Sequence, residues 1–205
     1  MDLNPPNTNQ SGLTMIELVV AMTVAGILLG LAVPGFLESM VGAKKDTVTY
    51  QLQGDVNLAR SESIKSSSRF SVCARDPDND RTCGDNWDNG WLVFEDTGPT
   101  VGQVDIDEDV IRVADDLPAF IQLNVRAKLV TGSSKPASVA FVRFSPRGKS
   151  NWRGGGTFAV CDSKNNDDTR DGAVALNIAL NGSIRKARLR KDKLINAFGK
   201  RVRCQ

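Results

Sequence analysis

The chain has 205 residues, 40% hydrophobic and 24% charged, which is enough for one domain of about 150 residues plus an appendage and too apolar for wholesale disorder. It contains no histidine, which excludes imidazole metal sites, Ser-His and Cys-His nucleophile pairs and histidine general bases. The net charge of +2 hides an asymmetry: residues 1–102 carry 7 basic and 13 acidic side chains, a net −6, and residues 103–205 carry 19 and 11, a net +8, pointing to an anionic partner near the C-terminus or to faces that meet like-built neighbours head to tail.

The first twelve residues, MDLNPPNTNQSG, are polar, with a single charge at Asp2 and no lysine or arginine. A secretory signal peptide runs in the opposite order, from basic residues through an apolar run to a small-residue cleavage site. Here Gly12 comes before the apolar run. Between Glu17 and Glu38 lie the 20 uncharged residues 18–37. As a helix they span roughly 30 Å, one hydrocarbon core, although a buried core helix is the other reading of such a run. Glu17 stands at the head of this stretch. A carboxylate near bilayer depth costs about 2.5–3.5 kcal/mol unless it finds a partner, and such acids are functional by default. The plainer alternative is that Glu17 snorkels to the interface.

The order Gly12, Leu13-Thr14-Met15-Ile16-Glu17-Leu18, uncharged span, Pro34 resembles the type IV prepilin signal. By that resemblance, a dedicated prepilin peptidase of the inner membrane cuts between Gly12 and Leu13 and methylates the new N-terminus at Leu13. Glu17 and Pro34 then serve assembly, Pro34 standing where the family kinks its helix. The leader departs from the pattern in lacking basic residues. The resemblance implies a single-pass inner-membrane helix with a periplasm-facing head. An inner-membrane assembly platform would extract it into a pilus or pseudopilus at the cell surface, among other major and minor pilins. There the ammonium of a neighbour's Leu13 answers Glu17, so the acid registers one helix against the next.

Beyond Pro34 the pattern continues as a helix, with Leu37, Val41, Val48, Leu52, Val56 and Ala59 recurring at helical spacing and Gly42 and Gly54 weakening it locally. The run ends near Ser66-Ser67-Ser68. The remainder reads as short strands over Phe70–Arg75, Trp91–Glu95, Val110–Val113, Ala119–Val125, Ser138–Phe144, Thr157–Cys161, Ala173–Leu180 and Ile184–Leu189. Asn181-Gly182 marks a hairpin between the last two, and Gly154-Gly155-Gly156 reads as a turn rather than a phosphate loop. The expected fold is α+β: a long N-terminal helix packed on an antiparallel, β-rich head. Four segments follow: leader 1–12, transmembrane or filament-core helix 13–36, amphipathic helix 37–68, and head 69–205 with a basic tail.

The head resembles the GspH/FimT branch of pilin-like proteins, carried by Val72-Cys73, Cys83-Gly84, Trp87, Gly90-Trp91-Leu92-Val93-Phe94, Phe144-Ser145-Pro146-Arg147-Gly148 and Thr157-Phe158-Ala159-Val160-Cys161. The four cysteines do not fit a paired C-x-x-C zinc site, and an even count behind an export-type N-terminus reads as two disulfides. Three pairings are open. The resemblance and local proximity favour Cys73 with Cys83 and Cys161 with Cys204, each bridge adding around 2–4 kcal/mol.

The tail, residues 185–204, holds Arg185, Lys186, Arg188, Arg190, Lys191, Lys193, Lys200, Arg201 and Arg203 against Asp192 alone. Such density makes a track for phosphates through counterion release. In FimT-like minor pilins the resemblance implies capture of double-stranded DNA by a basic Gly-Arg-x-Arg element during natural transformation. Here the matching stretch, Gly199-Lys200-Arg201-Val202-Arg203, has one extra residue, and the earlier hairpin offers Gly182-Ser183-Ile184-Arg185. Two other readings compete: a solvated edge strand guarded by cations, and a contact to acidic loops on a neighbouring subunit. Phe198 is the tail's one aromatic, which disfavours single-strand stacking.

The acidic runs Asp76-Pro-Asp78-Asn-Asp80 and Asp105-Ile-Asp107-Glu-Asp109 alternate carboxylates, but the first has Trp87 where a calcium loop needs its twelfth-position glutamate. Polar turns are the expectation, with no metal or cofactor. Trp87, Trp91 and Trp152 are expected in the core. No nucleophile has an evident base, so no enzyme is expected. The reading is a minor pilin of a type IV pilus that binds DNA. The alternative is a type II secretion pseudopilin at a filament tip, or a minor pilin priming assembly without DNA.

Overall fold

The computed structural model describes residues 14–129, 137–138, 140–163, 173–190, 193–202 and 204. Its chain divides into two compact units, residues 1–40 and 41–205. One helix, α1 (Met15–Lys65), begins in the first unit and ends in the second. Twelve strands follow among the described residues.

The helix starts at Thr14, whose Oγ1 accepts from the Glu17 amide at 3.3 Å. That is the N-cap bond, and Thr14-x-x-Glu17 has capping-box spacing. The helix runs on through Pro34 and stops at Lys65, just before the serine cluster. Of the expected apolar stripe, Val48, Leu52, Val56 and Ala59 are buried, whereas Leu37 is exposed. The stripe therefore becomes core only from Val48 onward.

Two five-stranded antiparallel sheets make the head. The first joins β1 (Phe70–Asp76) to β2 (Asn79–Cys83), β3 (Trp91–Glu95) and β7 (Phe141–Phe144), with β4 (Val110–Ala114) beside β3. The second has the order β10 (Ile184–Lys186), β9 (Ala173–Ile178), β8 (Trp152–Asp162), β5 (Ile121–Leu129), β6 (Ala137–Ser138). A separate hairpin pairs β11 (Arg188–Arg190) with β12 (Lys193–Ile195).

Period-2 alternation sorts side chains between faces. Phe70, Val72 and Ala74 of β1, Trp91 and Val93 of β3, Phe158 and Val160 of β8, and Leu176 and Ile178 of β9 share one core with the helix stripe. Trp87 and Trp152 lie in the same core, so all three tryptophans are structural. The intervening residues form outer clusters. Cys73, Cys83, Leu92 and Phe94 gather on the first sheet. Ala159, Cys161, Ala173 and Ala175 on the second sheet meet Leu194, Val202 and Cys204 of the tail. The small alanines leave room for a further layer of chain. Each outer cluster contains one disulfide, Cys73–Cys83 or Cys161–Cys204, with Cα separations of 5.7 and 5.8 Å.

Several expected strands differ. The segment 138–144 divides, because β6 pairs with β5 and β7 pairs with β1; the chain crosses between sheets there. The segment 184–189 divides at Ala187, where the chain leaves β9 and turns over the outer alanine face. Strand β2 is polar along most of its length, and β12 is only three residues long, too short to show alternation in the sequence. Gly154-Gly155-Gly156 is not a turn but lies inside β8. Gly155 has φ +85°, and a Cβ on it would stand 2.5 Å from the Ile178 carbonyl oxygen; one on Gly156 would stand 2.1 Å from the Trp152 ring. The glycines let the strand bulge while Trp152 folds back over it.

A buried acid ties the helix to the first sheet. Asp55 Oδ2 accepts from Trp91 Nε1 at 2.9 Å, and its Oδ1 accepts from Arg112 Nε at 3.1 Å. A buried carboxylate persists only when so matched. We expect Asp55→Ala to cost the head about 2–3 kcal/mol in urea unfolding, since the indole N–H is left unpaired. Asp55→Asn, which keeps an acceptor, should cost roughly half as much. Equal costs would show that the charge, not the indole bond, holds the two layers.

Candidate functional site

In the first unit, every described side chain from Thr14 to Met40 is exposed, including Met15 at 87%, Val20, Ile27, Leu28 and Phe36. The helix is long and apolar enough to cross a membrane. Glu17 lies in its first turn, where a carboxylate also complements the positive end of the helix dipole. Gly12 and Leu13 lie outside the described residues, as does the side chain of Pro34.

In the second unit the basic tail is laid down as structure. Its hairpin and following turn cover the outer face of the second sheet, and Cys204 is bonded to Cys161. Asn177 Nδ2 donates to the Ile195 carbonyl at 3.0 Å, and the Ala197 amide donates to Thr157 Oγ1 at 2.9 Å. The Asn196 side-chain oxygen accepts from the amides of Phe198 and Lys200, both at 3.0 Å, closing the turn.

The tail's cations have different fates. Lys186 Nζ donates to Asp46 at 3.2 Å and to the Tyr50 hydroxyl at 3.4 Å, and lies 4.8 Å from the centre of that ring. Burial pulls its pKa down, but the bonds to Asp46 and Tyr50 outweigh this and hold it above the ordinary lysine value. Lys186 is therefore committed to the helix. Arg185 is exposed and has no ion-pair partner among the described residues. Lys200 and Arg201 are exposed. Arg188, Arg190 and Lys193 sit on the β11–β12 hairpin, paired Arg188 with Ile195 and Arg190 with Lys193; their side chains are outside the described set. Lys191 and Arg203 lie outside the described residues altogether.

Between the bulged start of β8 and the β9–β10 hairpin is an open cleft of about 730 Å³. Arg153, Arg185 and Lys186 line it alongside Ile178, Leu180 and Ala197. No motif singles out Arg153, which is far from the tail in sequence; the signal for it is that Trp152 points into the core, so its neighbour points out. Lys128 Nζ lies 5.4 Å from the centre of the Phe198 ring, so the tail's aromatic is already engaged.

The acidic runs span turns, the first from the end of β1 at Asp76 to Asp80 in β2. Asp76 accepts from the Asp78 amide at 2.9 Å, and Asp80 and Asp116 both pair with Arg75. The bond to Asp80 first, and Asp116 with it, raise the Arg75 pKa against the effect of burial. Buried Glu108 accepts from the amides of Thr97, Gly98 and Asp105. Among the described residues, no group of His, Cys, Asp or Glu is arranged to hold a metal ion.

Comparison with known proteins places this arrangement. The family model described as Type II transport protein GspH matches residues 49–183, and the prokaryotic N-terminal methylation motif matches residues 7–33. The type IV minor pilin FimU of Pseudomonas aeruginosa is similar in fold, with TM-score 0.51, 20% identity, and coverage of 71% of this chain and 90% of that one. The minor pseudopilin EpsH of the Vibrio cholerae type 2 secretion system aligns at TM-score 0.44 and 16% identity, covering 70% and 95% of the two chains. No curated protein matches the sequence. With its N-terminal motif, long helix and antiparallel head, the chain belongs to the GspH family of minor pilins and pseudopilins.

Proposed function

We propose that the chain is a minor subunit of a type IV pilus. A prepilin peptidase removes residues 1–12 and methylates Leu13. The helix then holds the protein in the inner membrane with the head on the periplasmic side until the assembly platform draws it into the filament. The bare apolar surface from Met15 to Met40, headed by Glu17, is the observation that carries this reading. Such a surface requires lipid or neighbouring helices, and the acid requires a cation. A neighbour's Leu13 ammonium supplies it, with Pro34 shaping the helix that docks. Mass spectrometry of the protein from sheared filaments should find a chain beginning at methylated Leu13. A filament population that still carries Met1–Gly12 would overturn the proposal.

A second activity rests on the exposed cations of the head. Exposed Arg185, Lys200 and Arg201 offer a surface for the backbone of duplex DNA, and Arg188, Arg190, Lys191, Lys193 and Arg203 add to the positive charge of the same stretch of sequence. The chemistry is phosphate neutralisation without base readout. Lys186 contributes field rather than contact, because Asp46 and Tyr50 hold it. All three core clusters lie at or after Val48, so a fragment from Val41 onward keeps the whole core. We expect that fragment to bind duplex DNA with an affinity that falls steeply as salt rises. Changing Arg185, Lys200 and Arg201 to glutamine should flatten the log–log slope by about one for each phosphate no longer neutralised. Absence of salt-dependent binding, or an unchanged slope, would leave the chain as a filament subunit only, in a pilus or a secretion pseudopilus.

A further inference from the structure

Two features of the head take no part in helix docking and complement each other, although the second shares Arg185 with the proposed phosphate surface. One is the loop 96–109 between β3 and β4. Its inward carboxylates are satisfied within the head, mostly by its own backbone. Glu108 accepts from Thr97 at 2.7 Å, Gly98 at 2.6 Å and Asp105 at 2.9 Å, while Asp105 accepts from Thr100 at 3.0 Å. Asp96, fully buried, accepts from the Gly102 amide at 3.0 Å, from the Ser71 hydroxyl and from Arg143. The loop is thus built before any partner arrives, and it turns outward Ile106, which is 96% exposed, next to exposed Asp107. Preorganisation of this kind lowers the ordering cost of a contact.

The other feature is the cleft. Leu180, 45% exposed, lies on its apolar wall with Ala197, and exposed Arg153 and Arg185 line it without ion-pair partners among the described residues. A volume of about 730 Å³ accommodates more than one side chain. A lone exposed isoleucine or a pair of unpaired arginines is ordinary. An isoleucine flanked by an acid, and an apolar slot flanked by cations, are matched surfaces.

We propose that the cleft receives the loop 96–109 of a second copy of this chain, with Ile106 against Leu180 and Asp107 facing Arg153 and Arg185. The contact is heterologous, joining two different patches, so each copy offers one donor loop and one acceptor cleft. The apolar insertion supplies burial and the charges set register. This inference does not depend on DNA, and it gives the opposite charges of the two halves of the chain a use between neighbours.

The test uses full-length protein in nuclease-treated membranes, with two copies that carry different tags. One copy has Ile106→Cys and the other Leu180→Cys, both at exposed positions, and a short bismaleimide links free thiols while leaving the disulfides intact. The mixed adduct should exceed, by about tenfold, that of a control pair in which Val113→Cys, exposed on β4 of the other sheet, replaces Leu180→Cys. Arg153→Asp with Arg185→Asp in the Leu180→Cys copy should abolish the adduct, and Asp107→Arg in the Ile106→Cys copy should restore it. Linking no better than the control, or linking indifferent to both charge reversals, overturns the proposal. Because no nucleic acid is present, neither result bears on DNA binding.

Discussion

From Thr14 to Met40 the chain presents an apolar helical surface that nothing among its own described residues covers, and one carboxylate stands in the first turn of that surface. At about 25 cal/mol per Å² of apolar area, leaving such a surface in water is costly. Lipid can cover it, and so can copies of the same helix from neighbouring subunits. In the proposed function only the second environment also supplies a cation at a fixed place, so the acid would separate the two states: tolerated in the bilayer at a penalty, satisfied in the filament. The Thr14 cap and the helix dipole ease that penalty without cancelling the charge.

The head solves a different problem with related means. Val48, Leu52, Val56 and Ala59 give both sheets a common layer to close on, and Asp55 fixes the helix to Trp91 and Arg112 across that layer. Buried Asp96 and Glu108 shape a loop by accepting backbone amides. In each case the carboxylate is buried because specific donors meet it. The outer faces, which the helix cannot reach, are covered instead by chain that a disulfide holds down: β2 through Cys83 and the tail through Cys204. Exposed Lys200 and Arg201 thereby lie on a disulfide-anchored stretch of chain.

Much of this is legible in the residues. The uncharged span, Glu17 and the helix limits follow from periodicity and charge, as does the presence of strands at β1, β3, β8 and β9. Which face turns inward does not, because Trp91-Leu92-Val93-Phe94 is apolar throughout. What escapes such a reading is decided by distant contacts. The triple glycine reads locally as a turn, yet in β8 it makes room for the Trp152 ring and the Ile178 carbonyl. Strand β2 is polar along most of its length and forms because β1 and Cys73 lie opposite. The cleft has no local signature, since Arg153 and Arg185 meet only after the β9–β10 hairpin folds back beside β8. Nor does a run of cations reveal which of them is claimed internally; Lys186 is, through Asp46 and Tyr50, residues 136 and more positions away.

The most direct measurement follows the acid itself. Glu17→Ala, expressed in cells that assemble the filament, should insert in the membrane and lose its leader normally, yet be missing from sheared fibres while the native chain is present. Recovery of the variant in fibres at the native level would mean that a neighbour's amine does not hold the helix in place, and that the acid has no part in assembly.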